Sequence, residues 1–512
     1  DLLWFGGIGT YIKAKKETHA DVGDKANDAL RVNAEDVRAR VIGEGANLAV
    51  TQAGRIEFAQ KGGLANADFI DNSGGVDSSD HEVNIKILLT DVMSNKAHDM
   101  SMAKRDKLLA KMTDDVAALV LRHNYQQVQG ISLTSFQGAG QLALQAQFIK
   151  YLERKNLLKR EQEGLPDEEE IEARLRAGKS LTRPEIGILH AYAKILLQKE
   201  LLACDIPDQP EMVDNWLVNY FPPQLRGPYR KEIMQHRLCR EIIATNIANS
   251  LVNRMGPIFV KSQMDKTGAS LADVARAYLI VRRSFKLKPL WERIESLDSK
   301  VPAQVQLKAM REIATMLERE TTWFLTRLGR APDIDKDVKS YSAGIDTLYK
   351  HINDVVTDDL EITIAQQTRV NMDNGLPEDL ARDIALIPTL GAACDIIRIS
   401  LDEGMKIPLT ARTYLEAGTR FHIDWLSKQV QFMNADDRWS EEALRGLVEQ
   451  LYSCQAGLTV RILNDMKSAI KRGKVGGKKS IIAAWLETHG EQAVQLDLLF
   501  NEIRRGGTVD LP

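Results

Sequence analysis

The stretch Val41–Asn47, which reads VIGEGAN, carries an apolar run into a glycine-rich turn that ends in an asparagine. A related stretch, Ile70–Val76, reads IDNSGGV and follows the shorter apolar run Ala67–Ile70. Between the two turns, Thr51–Lys61 has helical spacing, and Gly62-Gly63 follows it as a C-cap signal. The order strand, helix, strand with short loops predicts parallel strands joined by a right-handed connection.

The chain on either side of these turns extends the same interpretation. Upstream, Leu2–Ile8 is a short apolar run ended by glycines, which predicts a further strand. From about residue 80 the apolar residues follow helical spacing, beginning with Val83, Ile87, Leu88 and Val92, and few strand-like runs come later. The predicted fold class is an α/β parallel-sheet remnant followed by a large, mostly α-helical region.

Several local signals predict where helices begin in that region. A threonine and a glutamate three residues apart can cap each other's backbone N–H groups, and Thr182 and Glu185 have this spacing. Asp167 and Ser270 are predicted N-caps, and Asn374–Glu378 reads as a turn leading into a helix. The carboxylates that follow Asp167 are expected to form a solvated helix start rather than an acid/base pair.

Bulk composition limits the class of protein. A length of 512 residues predicts about two to four domains, and a net charge of −3 gives no field suited to nucleic acid or an anionic membrane. No apolar run approaches the roughly 18–20 residues of a membrane span. The four cysteines are far apart and form no CxxC, which favours a reducing compartment and a cytoplasmic location. Because a strand pattern starts at Asp1, we expect a piece of a longer protein.

The two glycine-rich turns have the composition of a ligand site. In an open parallel sheet, ligands bind beyond the carboxyl ends of the strands, where both turns are predicted to lie. Gly45 and Gly74 let the backbone approach a ligand without a Cβ clash, and Asn47 and Asn72 each offer amide donors and an acceptor. Such a site suits a flat, uncharged ligand that bears an amide, although an asparagine before a glycine also stabilises its own turn.

A third signal follows the second turn. Ser79–Glu82 has the spacing of a capping box and predicts the start of the next helix. Ser79 would then satisfy free backbone N–H groups, and the same helix start could receive a substrate carboxylate. Both uses of the hydroxyl stay open from spacing alone.

The two turns resemble the nucleotide-binding domain of glutamate dehydrogenases. VIGEGAN is similar to the "EGAN" strand end of that family, IDNSGGV to its "NAGGV" segment, and Asp1–Gly7 to its preceding strand. The sequence around these motifs, and the long helical region after them, most resemble the large NAD-specific glutamate dehydrogenases of bacteria. The resemblance implies that residues 1–90 are the C-terminal half of a Rossmann-like dinucleotide-binding domain. Residues 91–512 would then be a helical C-terminal region, with a possible linker near 205–212 or 331–340.

The resemblance also implies roles for individual residues. Asn47 would face the nicotinamide side of NAD, and Asn72 would hold its carboxamide. Val76 would line the substrate pocket and Ser79 would contact the distal carboxylate of glutamate, with Ser78 as a rival because the family's Ser-Tyr-Phe-Glu-Trp pattern is not kept. The family's catalytic lysine and aspartate would lie upstream of Asp1, so no catalytic residue is expected in this chain.

The implied activity is the NAD-dependent oxidative deamination of L-glutamate to 2-oxoglutarate and ammonium by a homo-oligomer, with this chain inactive alone. Two alternatives stay open. The helical region could serve chiefly as an oligomerisation or regulatory scaffold without catalysis. The parent could instead be a related dehydrogenase that acts on another amino acid, since the lysines that would recognise a second carboxylate lie upstream.

Two other patterns do not predict sites. The nine histidines are scattered without an HExxH motif or an i, i+4 histidine pair, so no metal site is predicted, and His81 is expected to be solvated at a helix start. Gly473–Ser480 has the wrong spacing for a phosphate loop and is interpreted as a basic surface loop.

Overall fold

Parallel strand pairs form the start of the chain. The computed structural model places four short strands there: β1 (Leu2–Phe5), β2 (Ile12–Lys13), β3 (Val32–Asn33) and β4 (Val41–Glu44). Strand β1 pairs with β4 in parallel, from Leu2 opposite Val41 to Phe5 opposite Glu44. Strands β2 and β3 form a second parallel pair. The model describes residues 1–95, 97–327, 332–432, 438–473 and 480–488.

The predicted strand at Ala67–Ile70 is wrong. Asp68–Asp71 is instead a short helix, and Ala67 is the extended residue before it. The chain does pass beside β4, but earlier, at a single parallel bridge between Val41 and Leu64. Four residues are too few to reveal a period. In addition, Asp68 at the helix start is favoured by the helix dipole, which a strand would not offer.

An apolar cluster holds the strand pairs against the first long helix. Gln52–Gln60 is that helix, within the predicted Thr51–Lys61, and Gly62 just beyond it has a left-handed conformation, as the sequence predicted; Thr51 is its N-cap. The cluster consists of buried residues from two strands, the helix and the connecting segments, namely Ile12, Ala34, Ile42, Val50, Phe58 and Ala65. Burial of such side chains stabilises the fold by about 1.5–3 kcal/mol each for the larger ones.

The described residues form two compact units, of which the first comprises Asp1–Tyr278 with Phe324–Pro332. The α-helices that begin in it are His19–Val22, Gln52–Gln60, Asp68–Asp71, Ser73–Ser94, Met102–Phe136, Leu142–Arg154, Glu168–Arg176, Arg183–Leu202, Pro210–Met212, Pro223–Arg226, Arg230–Met234, Cys239–Met255, Phe259–Thr267 and Leu271–Ser284. Single turns of other helix types lie at Lys25–Asn27, Ala34–Asp36, Gly138–Gln141, Ile206–Asp208, Val213–Leu217 and Val218–Tyr220.

The second unit comprises Leu279–Trp323 and the chain from Asp333. Its α-helices are Leu287–Glu295, Ala303–Arg327, Ile334–Lys350, Ile352–Val355, Asp358–Asp373, Glu378–Leu390, Ala393–Glu403, Ile407–Arg420, Ile423–Phe432, Arg438–Asp465 and Lys467–Lys471, and residues 481–488 are also helical. A small parallel sheet followed by this large helical region confirms the predicted fold class.

Helix starts followed their local signals. Thr182 and Glu185 cap each other's backbone N–H groups, and Asp167 and Ser270 accept from the backbone N–H three residues on. A helix also begins at Glu378, as predicted. These starts could be predicted because each depends on residues three or four positions apart.

The two segments interpreted as linkers contain helical structure. Residues 205–212 hold the short helices Ile206–Asp208 and Pro210–Met212, in which Ile206 and Met212 are fully buried. Helix Ile334–Lys350 covers most of 331–340, the first residue of which lies outside the described part. The boundary at residue 90 stays a prediction about function, since the helices from 91 to 278 belong to the first unit.

Gly130 allows a close helix crossing in the first unit. It lies in Met102–Phe136 and faces the end of Cys239–Met255, where a Cβ would come within 2.8 Å of the Cα and carbonyl oxygen of Asn253. The obstacle is backbone, which cannot rotate away as a side chain can. We therefore expect Gly130→Ala to lower the free energy of unfolding by about 1–3 kcal/mol, measured by chemical denaturation.

Gly457→Ala is the matched control for this substitution. Gly457 is also helical but faces open space, so alanine there should stabilise by about 0.5–1 kcal/mol through helix propensity. Equal effects of the two substitutions would contradict the packing argument.

Within the described residues, no single helix is long and apolar enough to cross a membrane. One pair, Glu378–Leu390 with Ala393–Glu403, meets the length and composition test when taken together, with a bend of 55° at its break. All four cysteines are free, and Cys394 is the buried one among them.

Candidate functional site

The first predicted turn leaves the carboxyl end of the parallel pair β1–β4. The N–H groups of Gly45 and Ala46 both donate to the carbonyl of Phe5, at 2.9 and 3.1 Å, which continues the pairing past Glu44. The indole of Trp4 lies against this backbone, since a Cβ on Gly45 would come within 2.6 Å of its ring. Glycine at 45 therefore gives the Trp4 ring room to lie against the backbone, and a larger residue there would force the ring to move.

A buried ion pair fixes the shape of that turn. The Glu44 carboxylate accepts from Arg55 Nε at 2.6 Å and from the second guanidinium nitrogen at 2.9 Å, and it also accepts the backbone N–H of Val50 at 3.0 Å. Arg55 reaches Asp68 as well, at 3.1 Å. Both members of the pair are almost completely buried. The residues between Glu44 and Val50 are thus held at both ends by one carboxylate.

Burial and the neighbouring charges together shift the pKa values of Glu44 and Arg55. Burial would lower the pKa of Arg55, but the carboxylates of Glu44 and Asp68 outweigh it and raise the pKa above its usual value. Burial raises the pKa of Glu44, and the Arg55 guanidinium acts against this. Arg55 therefore stays charged, and the charge on Glu44 depends on its presence.

Two aspartates join the two predicted turns directly. The N–H of Leu48 in the first turn donates to Asp68 Oδ2 at 2.9 Å, and the N–H of Glu44 donates to Asp71 Oδ2 at 3.1 Å. Asp68 and Asp71 belong to the short helix that immediately precedes Asn72. The structure thus brings the two turns next to each other at the end of β4, as the sequence predicted, although by a helix rather than a third strand.

Among the described residues, the side-chain amides of the asparagines at these turns have no hydrogen-bond partner. Asn47 is exposed and Asn72 is half-buried. No hydrogen bond joins either side chain to another described residue, although Asn72 occupies the N-cap position of Ser73–Ser94. A turn-stabilising role would require such bonds, so the geometry leaves both carboxamides available to a ligand.

Ser73–Ser94, hereafter the Ser73 helix, begins earlier than predicted, and this overturns the capping box at Ser79–Glu82. Ser79 lies in the second turn of the helix and donates to the carbonyl of Gly75 at 3.3 Å. Ser78 makes the shorter bond, 2.6 Å to the carbonyl of Gly74. The S-x-x-E spacing also occurs inside helices, where a serine bonds back to the preceding turn.

The other predicted residues of this helix lie on its first turn. Val76 is 67% exposed, so it is accessible to a substrate. A Cβ on Gly74 would lie 3.5 Å from Val120 in helix Met102–Phe136, which is an ordinary van der Waals contact, so packing does not demand glycine there. The roles given to these residues, and the choice between Ser78 and Ser79, stay predictions.

His81 was expected to be solvated, and this is wrong. Its side chain is completely buried, stacked 4.3 Å from the ring of Tyr220. Burial lowers the pKa of His81 to about 4. The early start of the Ser73 helix explains the error, because it places position 81 in the third turn of the helix, on its packed side.

Sequence reasoning missed the polar groups that build the site. Glu44 and Arg55 lie eleven positions apart, with the turn and a helix start between them, and the partner aspartates come from a segment interpreted as a strand. A charged residue between two glycines directly after an apolar run, as at Glu44, was the available signal, because charged residues are seldom buried unless paired. Within the predicted basic loop Gly473–Ser480, residues 474–479 lie outside the described residues.

Comparison with known families matches most of the chain. The family described as "Glutamate dehydrogenase, C-terminal" matches residues 178–512. The family described as "Bacterial NAD-glutamate dehydrogenase, catalytic domain" matches residues 1–134, which contain both asparagine-bearing turns.

Curated relatives are similar over the whole chain. A protein of Halomonas elongata is 39% identical over 516 residues, one of Pseudomonas aeruginosa is 39% identical over 510, and one of Mycobacterium tuberculosis is 34% identical over 511. Each is called NAD-specific glutamate dehydrogenase, and the alignments cover all of this chain and 31% of each relative. The chain thus spans about a third of their length, and the match of its larger part shows that it belongs to the glutamate dehydrogenase family.

Proposed function

We propose that this chain is the C-terminal part of an NAD-dependent enzyme that oxidatively deaminates L-glutamate to 2-oxoglutarate and ammonium. The observation that carries the proposal is the pair of carboxamides of Asn47 and Asn72, unpaired within the described part of the chain, on two turns that Asp68 and Asp71 join at the end of β4. NAD accepts a hydride from the substrate carbon in such enzymes, and the protein supplies binding and orientation.

The residues present fit one part of the cofactor. An asparagine amide can donate to and accept from the carboxamide of a nicotinamide, and the two turns lie together at the end of β4, the side of a parallel sheet on which ligands bind. Asn47, Asn72 and the backbone at Gly45 and Gly74 would hold that end of NAD. Val76 and Ser79 would meet glutamate. The described residues provide orientation, and the proton-transferring groups are expected upstream of Asp1.

We expect Asn47→Ala and Asn72→Ala, each made in the full-length protein, to lower kcat/KM for NAD about 2- to 13-fold. This range corresponds to the loss of about 0.5–1.5 kcal/mol from one hydrogen bond. The measurement is steady-state NADH production at saturating glutamate. Neither side chain has a bond within the described fold, so stability should change little.

Asn215→Ala is the control, because Asn215 is an exposed helical asparagine in the same unit, far along the chain from the turns. It should leave kcat/KM unchanged. Wild-type kcat/KM in both test variants would refute the assignment of the amides. Robust NADH production by the chain alone would refute the expectation that it lacks the catalytic groups.

A further inference from the structure

Asp77, His81 and His123 are three potential metal ligands that lie close together where the Ser73 helix packs against helix Met102–Phe136. The latter is called the Met102 helix below. Asp77 and His81 lie one turn apart on the first helix, with His81 Nε2 3.9 Å from Asp77 Oδ1. His123 comes from the second helix, and its Nδ1 lies 2.8 Å from Asp77 Oδ2. All three ligand atoms lie within 4.8 Å of one another.

His81 is the member of this cluster that the fold leaves unexplained. It is 0% exposed, and neither ring nitrogen has a hydrogen-bond partner among the described residues. Leaving a buried polar group unpaired costs about 1–3 kcal/mol, so such groups normally have a partner or bind an absent ion or water. The nearby hydroxyl of Tyr220 accepts from Asn84 instead, and Tyr220 meets His81 through its ring face.

The geometry points to a binding site for a divalent transition-metal ion of the Zn²⁺ type, held by Asp77, His81 and His123. Zinc bonds to histidine nitrogen and carboxylate oxygen are about 2.0–2.2 Å long, so tetrahedral ligand atoms lie about 3.3–3.5 Å apart. The observed separations, 2.8 Å from His123 to Asp77 Oδ2 and 3.9 Å from His81 to Asp77 Oδ1, lie on either side of this range.

The ligand set and its exposure favour this kind of ion. Two imidazoles and one carboxylate suit zinc and its neighbours, whereas calcium and magnesium prefer sites built from oxygen. Asp77 is 23% exposed and His123 is 33% exposed, so the ion could enter from solvent on their side. Three protein ligands would leave a fourth position for water.

Metal binding would link two helices at positions 46 residues apart. The first turns of the Ser73 helix, which carry Val76 and Ser79, would then be fixed to the middle of the Met102 helix. Any effect on glutamate binding through these residues depends on the proposed function. The binding itself does not, and it is tested without NAD or glutamate.

The experiment is a titration of the full chain after treatment with a chelator and dialysis. Zn²⁺ is followed by isothermal titration calorimetry, and Co²⁺ by its visible absorption, which is strong for four-coordinate sites. We expect one ion per chain and at least about a tenfold loss of affinity in Asp77→Asn and His123→Gln, since even outer-shell substitutions cost 10- to 100-fold. Asparagine can still accept from His123, so the fold should persist in Asp77→Asn.

His98→Gln is the matched control. His98 also contacts a carboxylate, with its Nε2 2.7 Å from Glu232, but it belongs to no described cluster of three ligands. It should retain the affinity and the Co²⁺ spectrum of the unmodified chain. The proposal is overturned if the unmodified chain binds neither ion, or if Asp77→Asn and His123→Gln bind as tightly as the unmodified chain.

Discussion

Replacing Arg55 with methionine is expected to lower the free energy of unfolding by about 3–5 kcal/mol near pH 7. The Glu44 carboxylate would remain buried without its two bonds from the guanidinium, and Asp68 would lose the same partner. Methionine keeps much of the apolar stem, so the loss reports the charge rather than the packing. The measurement is denaturant unfolding of the purified chain.

A second substitution separates the unpaired charge from other effects. Glu44→Gln in the Arg55→Met background removes the charge while keeping an oxygen that can accept the N–H of Val50. We expect the double variant to recover a large part of the lost stability, as buried ion pairs often can be replaced as a unit. An equal loss in the single and double variants would show that the buried charge is not the cause.

Arg237→Met gives the surface reference for this comparison. Arg237 pairs with Asp91 at 2.7 Å, but its side chain is 71% exposed. Exposed pairs contribute about 0–1 kcal/mol, so the variant should unfold much like the unmodified chain. If it lost as much stability as Arg55→Met, burial would not be the deciding difference.

The same ion pair shows what a sequence can reveal about this site. β1, β4 and the helix that begins after Thr51 could be predicted, because run length and capping residues are local signals. The closeness of the two asparagine-bearing turns was also predicted, but from a strand at Ala67–Ile70 that the structure replaces with a helix. The contacts that hold the turns together could not be predicted. Asp68 pairs with Arg55 and accepts from the N–H of Leu48, and these residues belong to separate segments that only the folded chain brings together.

Errors along the Ser73 helix have a related cause. The sequence predicts a strand at Ala67–Ile70, where the structure has the helix Asp68–Asp71, so the next helix was expected to begin too late, at Ser79. Because of this late predicted start, His81 was expected to lie in the exposed first turn of the helix. The rings of Tyr220 and His123 pack beside His81. Both residues come from distant parts of the sequence, so no local signal predicts these contacts.

The second large effect is expected at Glu320. Because of this residue, the free energy of unfolding should fall as the pH rises from about 4.5 to 8. Glu320 is 1% exposed, and its Oε2 has no hydrogen-bond partner among the described residues. Burial raises its pKa from 4.5 to about 8, although Arg319, whose Nε lies 3.8 Å from the carboxyl group, opposes this. The neutral acid is therefore the form that the fold prefers.

The direction of the pH effect follows from this raised pKa. Between pH 4.5 and 8 the folded state holds a proton at Glu320 that the unfolded state releases. The stabilisation is therefore complete below the unfolded pKa and is lost as pH rises through the folded pKa. A shift of this size corresponds to a loss on the order of 4 kcal/mol across the interval.

Glu320→Gln should remove most of this dependence, because glutamine has similar shape and no proton to release. Free energies of unfolding at pH 5, 7 and 9 should then fall less in the variant than in the unmodified chain, and the variant should be the more stable of the two at pH 9. Glu361→Gln, at an exposed position of the same unit, should leave the original profile unchanged. Parallel profiles for Glu320→Gln and the unmodified chain would mean that Glu320 is charged in the folded state, with Arg319 compensating its burial.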